Sequence, residues 1–456
     1  MHEAPPGPVV NTRSAMKLSS DDLPMFFSEA HVRLAERLRA MAPAIAAIDT
    51  LGIGPSEAPG TPVPGPPPRR DDGDEAARDQ AAREALAAAG LFELVVPQVA
   101  EPGGDEASAG PAGAGSRDAT RGGVNVAAPP RQTGRESPLS INLRAVCLAR
   151  EMLGYVSPRA DSILVCQGLG TYAIGAAGSA ALRAELPAFA RGERIAAFAM
   201  TEPEAGSDVA AIATRASPAG DGYRLDGDKL FISNLGIADH AMVIATVDPA
   251  LGHKGLTAFW LALDAPGVTV RPLMAIAAHP IGALELRGAV VPASARIGEV
   301  GQGMKLALDT LDAFRVSVGA AAVGMARRAL DEALGFVTRR SQFGKLLSEQ
   351  PLVQAHLADM VVDLDAARLL VLRAAYGKDT TGGKLTTEVS IAKLGATEAA
   401  QRVIDRAVQL LGGRGVMAGA VVEQLYRAIR PLRIYEGTSE IQRTIIGRAL
   451  AKGRAG

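Results

Sequence analysis

Cysteine is nearly absent from this chain: Cys147 and Cys166 are its only two among 456 residues. Both sit in apolar stretches that read as helical, which excludes a disulfide framework and fits buried thiols in a reducing compartment. The six histidines are scattered, without HxxxH or CxxC spacing, so the sequence offers no zinc-like ligand set. Aromatic residues make up only 4%, so a core must be built mainly from Ala, Leu and Val. A net charge of −1 leaves no basic footprint, which argues against nucleic acid as a partner. No apolar run is long enough to cross a bilayer, and the first twenty residues lack the apolar centre of a secretory signal. No membrane partner and a cytoplasmic location are therefore the expectations.

What is present is an ordinary globular composition, 48% hydrophobic and 21% charged, in a chain long enough for two or three domains. Residues 1–20 read as a flexible leader. A helical pattern over 23–49 is interrupted by Pro43, and 53–74 is a Pro-rich insertion. A helix over 75–89 is ended by Gly90. Residues 101–139 hold five Pro and eight Gly and almost no large apolar side chain, the composition of a mobile insertion. Helices resume at 143–153 and 158–177. From 195 to 297 the texture changes to short β-rich runs, with turn signals at Asp221-Gly222 and Asp226-Gly227. Helical patterns then occupy 304–312, 316–340, 351–376, 388–411, 421–430 and 439–452, with Ala and Leu at bundle spacing. The expected fold is α+β, mainly α: an N-terminal helical domain (21–194), a middle antiparallel β domain (195–300) and a C-terminal four-helix bundle (301–456).

The segment IYEGTSEIQR, 434–443, carries the sharpest chemical signal. A glutamate followed by Gly and Thr, after a basic and apolar stretch, is a carboxylate delivered on a turn. Apolar surroundings raise its pKa and make it a better base for a weakly acidic C–H bond. An isolated Glu-Gly pair is usually a solvated loop, so Glu436 gains meaning only from its company. By contrast, GLGTYA at 168–173 imitates a dinucleotide fingerprint, but its surroundings are helical and no βαβ unit follows.

The company is FAMTEPEAGSD (198–208), GDKLFISN (227–234), RRSQFGKLL (339–347) and QLLGGRG (409–415), in that order before the Glu436 segment. Together these resemble the acyl-CoA dehydrogenase family of flavoproteins over roughly residues 145–453. The resemblance implies a three-part architecture with FAD held between the β domain and the C-terminal bundle. It implies that Phe198, Met200 and Thr201 border the flavin, that Ser207 contacts FAD and substrate, and that Phe231 stacks beside the ring with the Ser233 hydroxyl near its reactive nitrogen. Arg340, Gln342 and Phe343 match the RxQFG motif, whose arginine pairs with the pyrophosphate of a FAD bound by the neighbouring subunit, a task suited to a guanidinium fork. Gln409, Gly412 and Gly413 match the loop approaching the same dinucleotide, and Thr438 and Glu440 match further FAD contacts.

Asp312 and Arg315, in LDAFR, match a family segment contacting CoA, although an i, i+3 Asp/Arg pair is equally read as a helix-surface ion pair. In one branch of the family the base sits on that helix; here its neighbours are Ala313 and Phe314, which leaves Glu436 as the base. The backbone N–H of Glu436, next to Gly437, and a FAD ribityl hydroxyl would form the oxyanion site. The chain departs from the family where Pro351 replaces a common Gln, next to Gln350, and where PQVAEPGG stands for PEEYGG. The implied chemistry is α,β-dehydrogenation of an acyl-CoA by a homo-oligomer, a dimer of dimers, with an electron-transferring flavoprotein as acceptor. The alternatives are the same chemistry on a carrier-bound acyl group, and an oxygen-using acyl-CoA oxidase.

Overall fold

The computed structural model describes residues 16–49, 72–98, 141–381 and 385–452. The leader up to residue 15, most of the Pro-rich insertion and the whole 101–139 insertion lie outside these residues. In the N-terminal part, α1 (Ser19–Asp22) and α2 (Glu29–Ala46) precede α3 (Asp72–Ala88), α4 (Leu143–Val156) and α5 (Pro158–Ala177), followed by the short α6 (Ala180–Arg183) and α7 (Leu186–Ala190). Pro43 lies inside α2 without ending it, and Gly90 at φ 65° follows α3 as the expected left-handed stop. The helix α3 starts three residues before the expected boundary, inside the tract read as Pro-rich insertion. GLGTYA lies wholly within α5.

The sheet is formed by β1 (Ala196–Ala199), β2 (Arg215–Ala219), β3 (Gly222–Ser233), β4 (His240–Thr246), β5 (Leu256–Ala262), β6 (Val268–Pro272), β7 (Ile281–Pro292) and β8 (Arg296–Ile297). Its path runs β6-β7-β3-β2-β4-β5-β8, with β1 paired to β4. Most pairings are antiparallel, as expected, but β1 runs parallel to β4 and β2 meets β4 parallel at Arg215↔Thr246. The sheet is therefore mixed.

Two further expectations are corrected. Asp226-Gly227-Asp228-Lys229 is no hairpin turn; it lies within β3, which is continuous and takes up the Gly with a register shift at Leu225/Asp226. The strand β7, missed in the sequence, lies between β3 and the edge strand β6. Its Gly282 and Gly288 weaken the period-2 signal.

After the sheet come α8 (Gly303–Val337), a hairpin of β9 (Ser341–Gln342) and β10 (Lys345–Leu346), α9 (Pro351–Thr381), α10 (Thr386–Leu411), α11 (Val421–Leu432) and α12 (Ser439–Lys452). The expected break at 313–315 does not exist. The charges of Asp312 and Arg315 look like an interruption of an apolar pattern, but both side chains are mostly buried in a single helix of 35 residues. The bundle direction follows from side-chain pairs. Asp312 of α8 meets Lys378 of α9, and Gly319 lies against Val371, so these helices are antiparallel. Leu370 lies by Gly395, and Asp363 binds Arg402 and Arg406, so α9 and α10 are antiparallel as well. Hence α8 and α10 run in the same direction.

Close approach of α4 and α8 needs glycine at the crossing. A Cβ on Gly324 would stand 2.0 Å from the Glu151 carbonyl oxygen, and one on Gly154 would stand 2.2 Å from that of Ala321. Two backbones cannot yield as a side-chain tip can, so Gly324→Ala should cost roughly 1–3 kcal/mol of stability. A lower denaturant midpoint at unchanged slope in urea unfolding is the expected result.

Candidate active site

Glu436 lies on the turn between α11 and α12, at φ 53°, followed by Gly437 at φ 89°. A left-handed conformation costs a non-glycine residue about 1–2 kcal/mol. The turn persists because its two carbonyls are gripped from three helices. Arg315 of α8 donates Nε–H to the Glu436 carbonyl at 3.0 Å. Lys393 of α10 donates Nζ–H to the Gly437 carbonyl at 2.8 Å, and Gln442 of α12 donates to the same oxygen at 2.9 Å. Hydrogen bonds from charged donors contribute about 1.5–3 kcal/mol each, so two of them outweigh the backbone strain.

The carboxylate oxygens of Glu436 are sealed from solvent although the residue as a whole is only half-buried, and neither oxygen accepts a hydrogen bond from a described residue. Burial pushes its pKa above the ordinary 4.5, opposed by the charges of Arg150, Arg315 and Lys393. Arg150, on α4, is itself fully buried. It makes two 2.7 Å bonds to Asp161 of α5 and one of 2.9 Å to the Ser317 hydroxyl of α8. Beside them, burial lifts the Tyr435 hydroxyl well above its usual range. The Cys166 thiol is pushed up to about 12, first by burial and then by the Glu436 charge, while Ser233 and Ser162 partner its sulphur.

Through Cys166 and Ser233 the turn connects to a wall made by the ends of β1 and β3. Leu230 donates its N–H to the Thr201 carbonyl at 2.9 Å, and Lys229 donates to the Met200 carbonyl at 3.1 Å. Phe198, Met200, Thr201 and Ser233 are half-buried along this wall, and Phe231, at φ 58°, is 63% exposed. Asn234 fixes the wall to α5 and β1, donating to the carbonyls of Ile163 and Ala196 at 3.2 Å each. Ser207 stands apart, exposed on the Gly206-Ser207 turn. Thr438 accepts from the Ile441 N–H at the start of α12, and Glu440 lies exposed beside Arg443.

Arg315 and Asp312 do form an i, i+3 ion pair, but a mostly buried one, and neither side chain is spent on it alone. The Arg315 head reaches the Glu436 carbonyl, and Asp312, 4.0 Å from it, is held by Lys378. The structure does not bring the remaining candidates to the turn. At 1.5 Å per residue, Arg340 lies roughly 35 Å along α8 from Arg315, and Gln409 roughly 24 Å along α10 from Lys393. Because the two helices run the same way, Arg340, Gln342, Phe343, Gln409, Gly412 and Gly413 gather at one far end of the bundle. There Phe343 is 96% exposed at φ 55°, and a Cβ on Gly412 or Gly413 would meet nothing within 4 Å. Pro351 occupies the first position of α9, where its missing N–H costs nothing.

These features fit a flavin dinucleotide: an apolar wall with an unpacked aromatic ring, a buried carboxylate without partners, and an open loop of glycines. Lys393, Gln442, Arg150 and Asp161 were missed in the sequence. Lys393 was within reach, since it interrupts the apolar stripe Val389, Ala392, Ala396, Ala400 of α10.

Lys229 and Glu202 form a second buried pair at 2.7 Å, and Glu202 also accepts from the N–H groups of Ala213 and Thr214. Lys229→Met would leave that carboxylate buried without its cation and release the Met200 carbonyl. A loss of about 3–5 kcal/mol is expected. Urea unfolding together with the flavin content of the purified protein checks this.

The acyl-CoA dehydrogenase middle-domain and C-terminal-domain family models match residues 197–289 and 301–451. A "Probable acyl-CoA dehydrogenase" of Mycobacterium tuberculosis is 37% identical over 334 residues, 72% of this chain and 85% of that protein. The mitochondrial short-chain specific acyl-CoA dehydrogenase of Bos taurus is 39% identical over 58% of this chain and 65% of that protein. Among solved structures, a glutaryl-coenzyme A dehydrogenase in complex with glutaryl-CoA superposes with a TM-score of 0.74 at 27% identity, over 92% of this chain and 95% of that one. The butyryl-CoA dehydrogenase of Megasphaera elsdenii gives a TM-score of 0.74 at 28% identity, over 93% and 99%. The chain belongs to the acyl-CoA dehydrogenase family and is an FAD-dependent oxidoreductase of it.

Proposed function

We propose that the protein dehydrogenates an acyl-CoA thioester at Cα–Cβ, with Glu436 as the base that removes the α-proton. The observation that carries this reading is the Glu436 carboxylate, buried and unbonded on a turn whose backbone is held from three helices. A base without hydrogen-bonding partners keeps its lone pairs for the substrate, and the raised pKa narrows the gap to a weakly acidic C–H bond. Among the described residues the Glu436 N–H has no acceptor, which suits it to the developing negative charge on the thioester oxygen.

When bound, FAD supplies the hydride acceptor. Phe198, Met200, Thr201, Phe231 and Ser233 would hold its ring, with Thr438 and Glu440 beside the turn and Ser207 at the entrance. Arg340, Gln342, Phe343, Gln409, Gly412 and Gly413 would serve the dinucleotide of a neighbouring subunit, because their distance from Glu436 along α8 and α10 suits a second copy better than their own. A dimer of dimers and the division into helical, sheet and bundle domains belong to the same reading. Asp312 and Arg315 would face the CoA side, and an electron-transferring flavoprotein would reoxidise the enzyme.

Glu436→Gln should retain FAD and lose turnover by about a hundredfold or more, since a positioned base contributes 10²–10⁴. Anaerobic bleaching of the flavin by a panel of acyl-CoAs measures it, and unchanged bleaching would remove Glu436 from the base role. The sign of the pH effect follows from the raised pKa. The carboxylate exists only above that pKa, so the rate should climb with pH through a limb lying above 4.5.

A further inference from the structure

Lys393 is fully buried on the core-facing stripe of α10, between Val389 and Ala396. An ammonium in such a place needs both hydrogen bonds and a counter-charge. Among the described residues its ammonium makes one hydrogen bond, to the Gly437 carbonyl. No carboxylate of a described residue forms a salt bridge with it. The charged groups that face it are Glu436, Arg315, Glu398 and Glu440. Glu398 is taken by Arg433 at 2.8 Å and by the Ser439 hydroxyl at 2.5 Å, and Glu440 points outward to Arg443.

The same accounting applies to Glu436, which faces Arg150, Arg315, Lys393 and Asp161. Arg150 is already bound by both oxygens of Asp161, and Arg315 stands 4.0 Å from Asp312. That leaves one cation without a carboxylate of its own and one carboxylate without a hydrogen bond, joined through a single residue of backbone. We propose that Lys393 is a positioning residue for this base: its ammonium fixes the Gly437 carbonyl, hence the aim of Glu436, and is the counter-charge of the Glu436 carboxylate. The inference rests on the reading of Glu436 as the base. Burial draws the pKa of Lys393 down to about 8. The cation is therefore present below that pH, where the base must ionise, and fades above it.

The test is an infrared titration of the FAD-loaded protein, following the carboxyl C=O stretch of Glu436 with Glu436→Gln as the difference reference. Lys393→Met should keep FAD yet raise the midpoint by about one pH unit or more, and Lys393→Arg should bring it back, as expected for a neighbouring opposite charge. Should the Met variant fail to hold FAD, Lys393→Gln, which keeps a donor without the charge, decides in its place. An unmoved midpoint in a variant that holds FAD overturns the proposal, as does a shift that Lys393→Arg leaves uncorrected. The titration needs no substrate. If Glu436→Gln turns over like the parent while the band still moves, the base reading fails and the counter-charge stands.

Discussion

A strained two-residue turn is the constraint around which this structure is arranged. Glu436 and Gly437 both have positive φ, and at Glu436 no missing side chain relieves the cost. The turn is stable only because α8, α10 and α12 each send one donor to its carbonyls. This explains why long helices far apart in sequence must pack in one register. Arg315 and Lys393 have to arrive within hydrogen-bond distance of the same four backbone atoms. The Ala- and Gly-rich crossings of α4 with α8, and of α8 with α10, bring the backbones close enough for that.

The second consequence is electrostatic. A carboxylate closed off from water is costly as an anion, and the fold answers with three cations nearby while binding none of them to the carboxylate oxygens. A direct salt bridge would have lowered the pKa and occupied the lone pairs, producing a stable structural glutamate and a poor base. Instead Arg150 is neutralised by Asp161 and Arg315 is spent on a backbone carbonyl. Their charges act through space. Glu202 and Lys229 show the contrast within one molecule. There the carboxylate is fully bonded, by Thr214, Ala213 and Lys229, and it holds up the wall at Met200.

Much of this was legible in the sequence where local signals agree with tertiary need. The helix α5, Pro158–Ala177, and the helix α12, Ser439–Lys452, fall where periodicity puts them, with Ser157 capping the first through the Ala160 N–H. Legibility failed where a charge was hidden inside an apolar helix. Asp312 and Arg315 suggested a break in α8, and Lys393 drew no notice in α10, because a sequence does not display the partner that makes a buried charge tolerable. It failed again in β3, where Asp226-Gly227 imitates a hairpin but is a bulge held by β7, a strand whose own glycines obscured it. The partners of Arg150, Asp161 and Ser317, come from different helices, and no spacing rule links them.

The far end of the bundle poses a physical problem that the described residues do not solve. Phe343 adopts a left-handed backbone conformation and leaves its ring 96% exposed, so strain and an exposed apolar surface coincide. Both are unfavourable, and among the described residues nothing offsets them. At the Glu436 turn, equal strain is repaid by hydrogen bonds from three helices; at Phe343 no described residue supplies such a bond. The parallel course of α8 and α10 sets the scale of what lies there. It puts Arg340 and Gly412 at the same end, well over 20 Å from Glu436 by helix rise. A guanidinium and a side-chain-free loop at one end of the bundle are each of a kind suited to phosphate. The strain at Phe343 thus differs from that at Glu436 in having no compensation among the described residues.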